Sequence, residues 1–452
     1  MKHLKITPIM LLLTFPAFAD TLSLELARSL MLQHNGTLAA ARDSVLQATE
    51  DANATKSLRY PSVQLNAMHI RMNDDVQIDL NPIRSVMLAL HPQIPDSAVP
   101  SFEMDVQKAS FNRGSLNVEW PLFAGGRIHE AIRAADVRAE ISRTHRQQVE
   151  ENLQNELVRR YYALALARKA LDVYTDVADG SRRRFDQARK LETAGMIAKV
   201  ERLHAEMAAS EADREVKAAR RDVLLATTAL SSLIGSDATD VSSPLFVAAL
   251  DPLETYTRSA LAGNSALKQL EETVDLARCA RRAEIGQWLP TVYLFGNREL
   301  FVDDLTMLDP DWSAGIGLTW NIFDGFERNH RVAAAGHQLN RIEHIREQSD
   351  RDIRALVEKH YTEAAKAAEQ FDALSSSIET ARENLRVRER AFAAGMGTSL
   401  EVVDAQNLLS AAELERYLAA YQHVTALAGL LSESGMIDRY DDYRQHAAVE
   451  AL

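Results

Sequence analysis

The stretch WPLFAGG at residues 120–126 returns 200 positions later as WNIFDGF at 320–326. The same offset relates Tyr161 to Tyr361, Gly195 and Met196 to Gly395 and Met396, Glu201 to Glu401, and Gly235 to Gly435, with no gap between them. Upstream the offset becomes 229, so that Asn35, Leu38, Pro61, Val63 and Leu65 match Asn264, Leu267, Pro290, Val292 and Leu294. The first copy therefore carries 29 extra residues between Pro61 and Trp120. Solenoid repeats run to roughly 20 to 50 residues; a tandem duplication this much longer implies two structurally equivalent halves related by pseudosymmetry.

On either side of the repeated stretch the hydrophobic period changes. In SLNVEWPLF (115–123), Leu116, Val118, Trp120 and Leu122 alternate with Ser115, Asn117, Glu119 and Pro121, the period of a strand with unlike faces. SVQLNAMHI (62–70) and SAGIGLTWNIF (313–323) alternate in the same way, as do Val292 and Leu294 with Thr291 and Tyr293. This predicts one β-hairpin within 62–123 and another within 291–323. Each strand has about the 9 to 11 residues that cross a bilayer at a tilt, with Trp120 or Trp320 near one end where an interfacial aromatic girdle would sit. A small soluble hairpin with one buried face would show the same alternation.

After the repeated stretch the period becomes that of a helix. Residues 127 to about 190 and 327 to about 392 contain no proline, so each predicts a continuous helix of roughly 95 to 100 Å. TAGMIA (193–198) and AAGMGT (393–398) then break the pattern. Shorter helices follow, giving helical hairpins over 127–235 and 327–435. Their Ala, Leu, Arg and Glu content favours side-by-side packing over a thick core. Residues 24–58 read as a single helix of about 35 residues, ended by Pro61. The first repeat is thus 20–250, the second 251–435, and 436–452 form a C-terminal tail.

Residues 1–19 have the form of a secretory signal peptide: Lys2 and Lys5, an apolar run from Ile6 to Phe15, and Ala17-Phe18-Ala19 at the cleavage position. Without them 49 Lys plus Arg face 64 Asp plus Glu, a formal charge of −15, which argues against nucleic acid as a partner. No later segment offers roughly 18 uninterrupted apolar residues, so no transmembrane helix is expected. Cys279 is the only cysteine, which leaves no internal disulfide and no lipidated cysteine at the cleavage point. No Gly-rich phosphate loop, HExxH or GxSxG is present. Neither a catalytic residue, a cofactor nor a metal site is expected. His330, His337 and His344 recur every seven residues, but about 10 Å apart, too far for neighbours to share a metal ion.

Four strands cannot close a membrane barrel, and open edges are not tolerated in lipid, so other copies must complete the sheet. Three copies would give 12 strands and 12 helical columns, enough to surround an aqueous lumen. The duplicated strand-hairpin and helix-hairpin plan, WPLFAGG and WNIFDGF, and the turn FAAGMGTSLEVVDA (392–405) resemble the TolC family of outer-membrane channel-tunnels, from Leu22 to about Gly435. The resemblance implies an α+β membrane protein, a homotrimer with a 12-stranded β-barrel in the outer membrane of a Gram-negative bacterium and an α-helical tunnel extending into the periplasm. It implies further partners: a periplasmic adaptor (membrane fusion) protein, an inner-membrane pump of RND, ABC or MFS type, and outer-membrane lipid. The function implied is export, either efflux of small toxic molecules or type I secretion of protein. A soluble periplasmic coiled-coil scaffold or adaptor is the competing reading.

By resemblance, carboxylates after the second helix turn line a narrow entrance, and Glu401 and Asp404 occupy those positions. Their i, i+3 spacing puts both on one helix face, so three copies would form stacked acidic rings that attract cations. Glu201 is the equivalent acid after the first turn. Phe392 and Gly397 stand where the family's type member has a latch tyrosine and arginine, so that latch cannot form, and Glu201 is left without that partner. Packing of Met196, Met396 and Phe392 is the expected substitute. Gly195, Met196, Gly395 and Met396 would lie at exposed tips that meet the adaptor, glycine supplying the positive φ of a tight helix connection. The proline-rich segment 71–113 reads as an enlarged extracellular loop.

Overall fold

The computed structural model describes residues 21–238, 240–302, 310–447 and 449–450; the expected signal peptide lies outside them. In chain order the elements are α1 (Leu24–His34), α2 (Gly36–Lys56), β1 (Ser62–Arg71), β2 (Val76–Asp79), α3 (Asn81–Leu90), β3 (Glu103–Gln107), β4 (Ser110–Ala124), α4 (Arg127–Thr193) and α5 (Lys199–Ile234). There follow β5 (Phe246–Val247), α6 (Leu253–Gly263), α7 (Ser265–Gly286), β6 (Thr291–Val302), β7 (Trp312–Thr319), α8 (Glu327–Ala393), α9 (Ser399–Glu433), α10 (Tyr440–Gln445) and β8 (Val449–Glu450). Both α4 and α8 are 67 residues long, about 100 Å each at about 1.5 Å per residue. The described residues divide into two compact units, one lying within 46–141 and 271–344, the other within 21–45, 142–270 and 345–450.

The first unit holds a four-stranded antiparallel sheet in the order β1-β4-β6-β7. Its register stacks Leu65 on Leu116, Val63 on Val118, Trp120 on Leu294, and Leu294 on Ile316. That apolar face is left open: Leu65 is 65% and Ile316 69% exposed. The opposite face carries a polar row, Gln64, Asn117, Asn297 and Ser313, in which the Asn297 amide donates to Asn117 Oδ1 at 2.6 Å. Around this row the strands present one apolar and one more polar face, as lipid-facing and lumen-facing surfaces do, although Tyr293 and Phe295 share the polar side and β4 is bulged at Gly114/Ser115 and Pro121/Phe123. Among the described residues β1 and β7 are the edge strands of this sheet.

Three sequence expectations are corrected in detail. β7 ends at Thr319, so residues 320–323 lie outside the strand predicted to include them. The segment between β1 and β4 is an ordered insertion, with β2 and β3 paired and the amphipathic α3 between them, not a plain loop. The helix expected over 24–58 is broken at Asn35. There the Asn35 side chain accepts from Thr37 and Leu38 N–H at 3.0 and 3.2 Å and caps α2, while its amide donates to Leu233 O at 3.1 Å. Asn264 does the same in the second repeat, capping α7 and donating to Glu433 O at 2.9 Å. Each asparagine ends one helix, starts the next, and seats that start on the end of α5 or α9.

The second unit is helical around one large apolar core. Tyr161, Tyr162, Phe246, Tyr256 and Phe371 are fully buried there with α1, α6 and the C-terminal half of α9. Tyr161 satisfies its buried hydroxyl on the backbone, donating to Leu22 O at 2.7 Å and accepting from Ser243 N–H at 2.9 Å. His423, completely buried, donates from Nδ1 to Ala364 O and accepts at Nε2 from Ala248 N–H; burial holds its pKa below the ordinary histidine range.

Candidate functional site: hairpin tips and strand-to-helix junctions

Both helical hairpins turn through the same backbone motif. Gly195 and Gly395 have φ of 70° and 72°. Their N–H groups donate to Glu192 O and Phe392 O, and those of Met196 and Met396 to Leu191 O and Ala391 O. This pair of bonds is the Schellman motif, in which a left-handed residue ends the helix and glycine adopts that φ without strain. Met196 and Met396 are 57% and 80% exposed.

Just behind the tips the two hairpins of one chain are fastened together. Phe392 is buried with Ala188, Ala205 and Val402, so α4, α5, α8 and α9 each contribute to one apolar knot. The packing expected of Phe392 with Met196 and Met396 is therefore corrected: the ring turns inward while both methionines face solvent. Glu201, expected to be without its partner, has a different one. Its Oε2 accepts from the Ser399 N–H at 2.7 Å and lies 2.7 Å from the Ser399 hydroxyl. Arg184 adds a charged staple, donating to Glu389 at 3.0 Å, Gln406 at 3.3 Å and Ser181 at 3.1 Å. Burial pulls the Arg184 pKa down against the opposing charge of Glu389. Glu201 and Phe392 stand out in the sequence but their partners do not, and Arg184, Glu389 and Ser399 carry no sequence signal.

Glu401 and Asp404 are both exposed on the first turns of α9. Glu401 completes a capping box with Thr398 and forms an ion pair with Arg388 at 3.2 Å. Asp404, one turn on, has no ion-pair partner among the described residues. Of the two acids, Asp404 is the one whose carboxylate has no partner among the described residues.

The repeated stretch itself is the junction between strand and helix. Trp120 Nε1 donates to Arg59 O at 2.9 Å and Trp320 Nε1 to Trp288 O at 3.1 Å. Each tryptophan thus pins the end of its hairpin to the chain just before the preceding strand. In the second repeat Arg328, 5% exposed, donates to Asp324, to Gln287 O and to Ile322 O, with its guanidinium 4.7 Å from the centre of the Trp288 ring. Two residues in a row take positive φ here: Gly125 and Gly126 at 63° and 79°, Gly325 and Phe326 at 68° and 70°. His330, His337 and His344 are exposed along α8.

A family model for outer membrane efflux proteins matches residues 27–236 and 257–435 of this chain. The chain belongs to the outer membrane efflux protein family. Protein CyaE of Bordetella pertussis is 24% identical over 432 residues, covering 93% of this chain and 85% of its own. The alkaline protease secretion protein AprF of Pseudomonas aeruginosa is 26% identical over 219 residues, 44% of this chain and 46% of its own. The crystal structure of the outer membrane protein VceC from Vibrio cholerae superposes with a TM-score of 0.73 at 14% identity, covering 91% of this chain and 96% of that one. The fold is the channel-tunnel fold, and the function is that of an outer-membrane export channel. Family and fold are those of channels rather than enzymes.

Within this efflux-family chain, the departures between repeats mark residues that composition could not single out. Phe326 replaces the second glycine of the junction and sits 62% exposed in a backbone conformation that bulky side chains avoid. Its one ring contact among the described residues is with Phe323, at 5.6 Å. Phe326→Gly is therefore expected to raise the stability of the purified protein by about 1 kcal/mol, by relief of strain. Thermal unfolding in detergent checks this; a lower midpoint would show that the ring contributes packing exceeding the strain.

Proposed function

We propose that three copies of this chain assemble into a passive outer-membrane conduit of a tripartite export system. The observation that carries this reading is the four-stranded sheet, with an apolar face open to its surroundings and both edges unpaired among the described residues of one chain. In lipid such a sheet is stable only when further strands close it, and three copies supply twelve. A soluble periplasmic scaffold has no use for that open apolar face. The helical hairpins would line a tunnel on the periplasmic side, with Asp404 carboxylates, and beside them Glu401 and Glu201, near its narrow end. The name of AprF supports a protein cargo, and the family's description supports efflux; both cargo classes fit the same conduit.

The tips, with Gly195, Met196, Gly395 and Met396, would meet a periplasmic adaptor carrying the inner-membrane pump. Flexible, exposed methionines suit a helical partner. Trp120 and Trp320 would stand at the lipid interface. In a strain lacking the gene, the wild-type chain is expected in the outer-membrane fraction and to restore export. Met196→Asp with Met396→Asp should still reach that membrane yet lose most export, because charge at both tips opposes apolar docking. Recovery of the wild-type chain in the soluble periplasm would overturn the channel reading, and full export by the double variant would overturn the docking role.

A further inference from the structure

The strand-to-helix junction of the first repeat holds an open cavity of about 490 Å³, within the size range of small-molecule sites. It is lined by Trp120, Leu122 and Phe123 at the end of β4, Gly126 and His129 at the entry to α4, and Arg59 just before β1. Arg59 and His129 are exposed, and among the described residues neither side chain has a hydrogen-bond or ion-pair partner. The charged groups around them are committed or face elsewhere. Glu130 pairs with Arg282 at 2.9 Å and Asp136 with Lys56 at 3.2 Å, while Arg127 donates to Ala124 O at 3.0 Å and Thr291 Oγ1 at 2.6 Å. Glu119 alternates to the face of β4 opposite Trp120. The cavity thus combines a free guanidinium and a free imidazole with exposed apolar rings.

The second repeat shows what the same junction is without this cavity. Offsets of 229 and 200 match Arg59, Gly126, Ile128 and His129 to Trp288, Phe326, Arg328 and Asn329. There the cation, Arg328, is turned inward onto Asp324 and two main-chain carbonyls and stacked on Trp288. A phenylalanine ring also stands where the first repeat has Gly126, at which an added Cβ would meet no atom within 4 Å. One junction uses its cation to brace its own backbone; the other leaves its cations and the space beside them open.

We propose that the first-repeat junction binds the phosphate headgroup of an anionic phospholipid in the periplasmic leaflet of the outer membrane, one lipid per chain. The inference rests on the channel reading, under which this junction lies where the barrel leaves the membrane and the long helices begin. The Arg59 fork and a ring N–H of His129 supply donors and positive charge for the phosphate oxygens. Trp120 offers an apolar ring at the level of the glycerol backbone. It also belongs to the open apolar face of the sheet, along which the acyl chains would run. Charge at the cavity and continuity with that face together select a lipid over a free anion, which would leave the apolar wall uncovered.

The test is native mass spectrometry of the whole trimer, stripped of lipid in detergent and titrated separately with phosphatidylglycerol, phosphatidylcholine and inorganic phosphate. Phosphatidylglycerol should fill one site per chain in preference to phosphatidylcholine, with an affinity that falls as salt is raised. Arg59→Ala with His129→Ala should lower that affinity by about tenfold; the main-chain carbonyl of residue 59 that anchors Trp120 is untouched by the change. Asn329→Ala, at the matching position of the second repeat, should leave binding at the wild-type level. Gly126→Phe keeps both cations and should abolish binding by filling the cavity, so the site stays testable even where the double variant does not assemble. Equal affinity for the two lipids, inorganic phosphate bound as tightly as phosphatidylglycerol, or wild-type binding in the variants that assemble would overturn the headgroup site while leaving a conducting trimer intact. Wild-type protein that neither conducts nor forms trimers overturns the channel reading beneath it.

Discussion

Asp404→Asn is expected to remove most of the cation preference of the reconstituted channel. Asp404 is an exposed carboxylate on the second turn of α9 with no ion-pair partner among the described residues, and three copies would place three such charges around a narrow opening. Fixed charge in a constriction governs which ions enter, through local field rather than chemistry. Removing it should lower the permeability ratio of potassium over chloride by about threefold or more at low ionic strength, where screening is weakest. Glu401→Gln alone should do less to selectivity, because that carboxylate already serves Thr398 and Arg388. The measurement is the reversal potential in a salt gradient. An unchanged reversal potential for Asp404→Asn would remove Asp404 from the constriction.

Arg328→Ala is expected to be the most damaging single substitution at the junction. The guanidinium is buried and donates to Asp324 and to two main-chain carbonyls while stacking on Trp288. Its removal leaves Gln287 O and Ile322 O without that donor and Trp288 without its cation. About 3 kcal/mol of stability should be lost, in line with breaking a buried charged pair from one side. Because the junction sets the exit of the β6–β7 hairpin into α8, assembly should suffer with it: detergent-stable trimer should fall sharply at a growth temperature of about 37 °C, where a loss of that size leaves little margin. Arg328→Lys keeps the charge but not the fork of donors, and should recover only part of the loss. Wild-type stability in Arg328→Ala would show that the cluster is incidental.

The long helices, the tips and the strand pattern are legible in the sequence because each depends on local chemistry: proline-free 3.6-residue periodicity, a glycine at the left-handed position, and two-residue alternation. The duplication is legible for the same reason, as WPLFAGG and WNIFDGF preserve a junction that needs two positive φ angles in succession. What is not legible depends on contacts distant in sequence. The break at Asn35 reads as helix by period; it becomes a boundary because its amide reaches Leu233 O, 198 residues away. Phe392 reads as a missing hydroxyl, and only the meeting of four helices shows it as the centre of an apolar knot. Glu201 reads as an acid without a partner until Ser399 arrives from the other hairpin. The insertion between β1 and β4 reads as loop because its prolines interrupt periodicity, although α3 between them is regular.

Three chains closing one membrane-spanning barrel that opens onto a helical tunnel are tested most directly by single-channel recording of the purified protein in planar bilayers. Discrete, long-lived conductance steps with cation preference are expected from a detergent-stable trimer. A trimer or monomer that binds bilayers without producing such steps, or produces none at any protein concentration, would contradict the closed barrel.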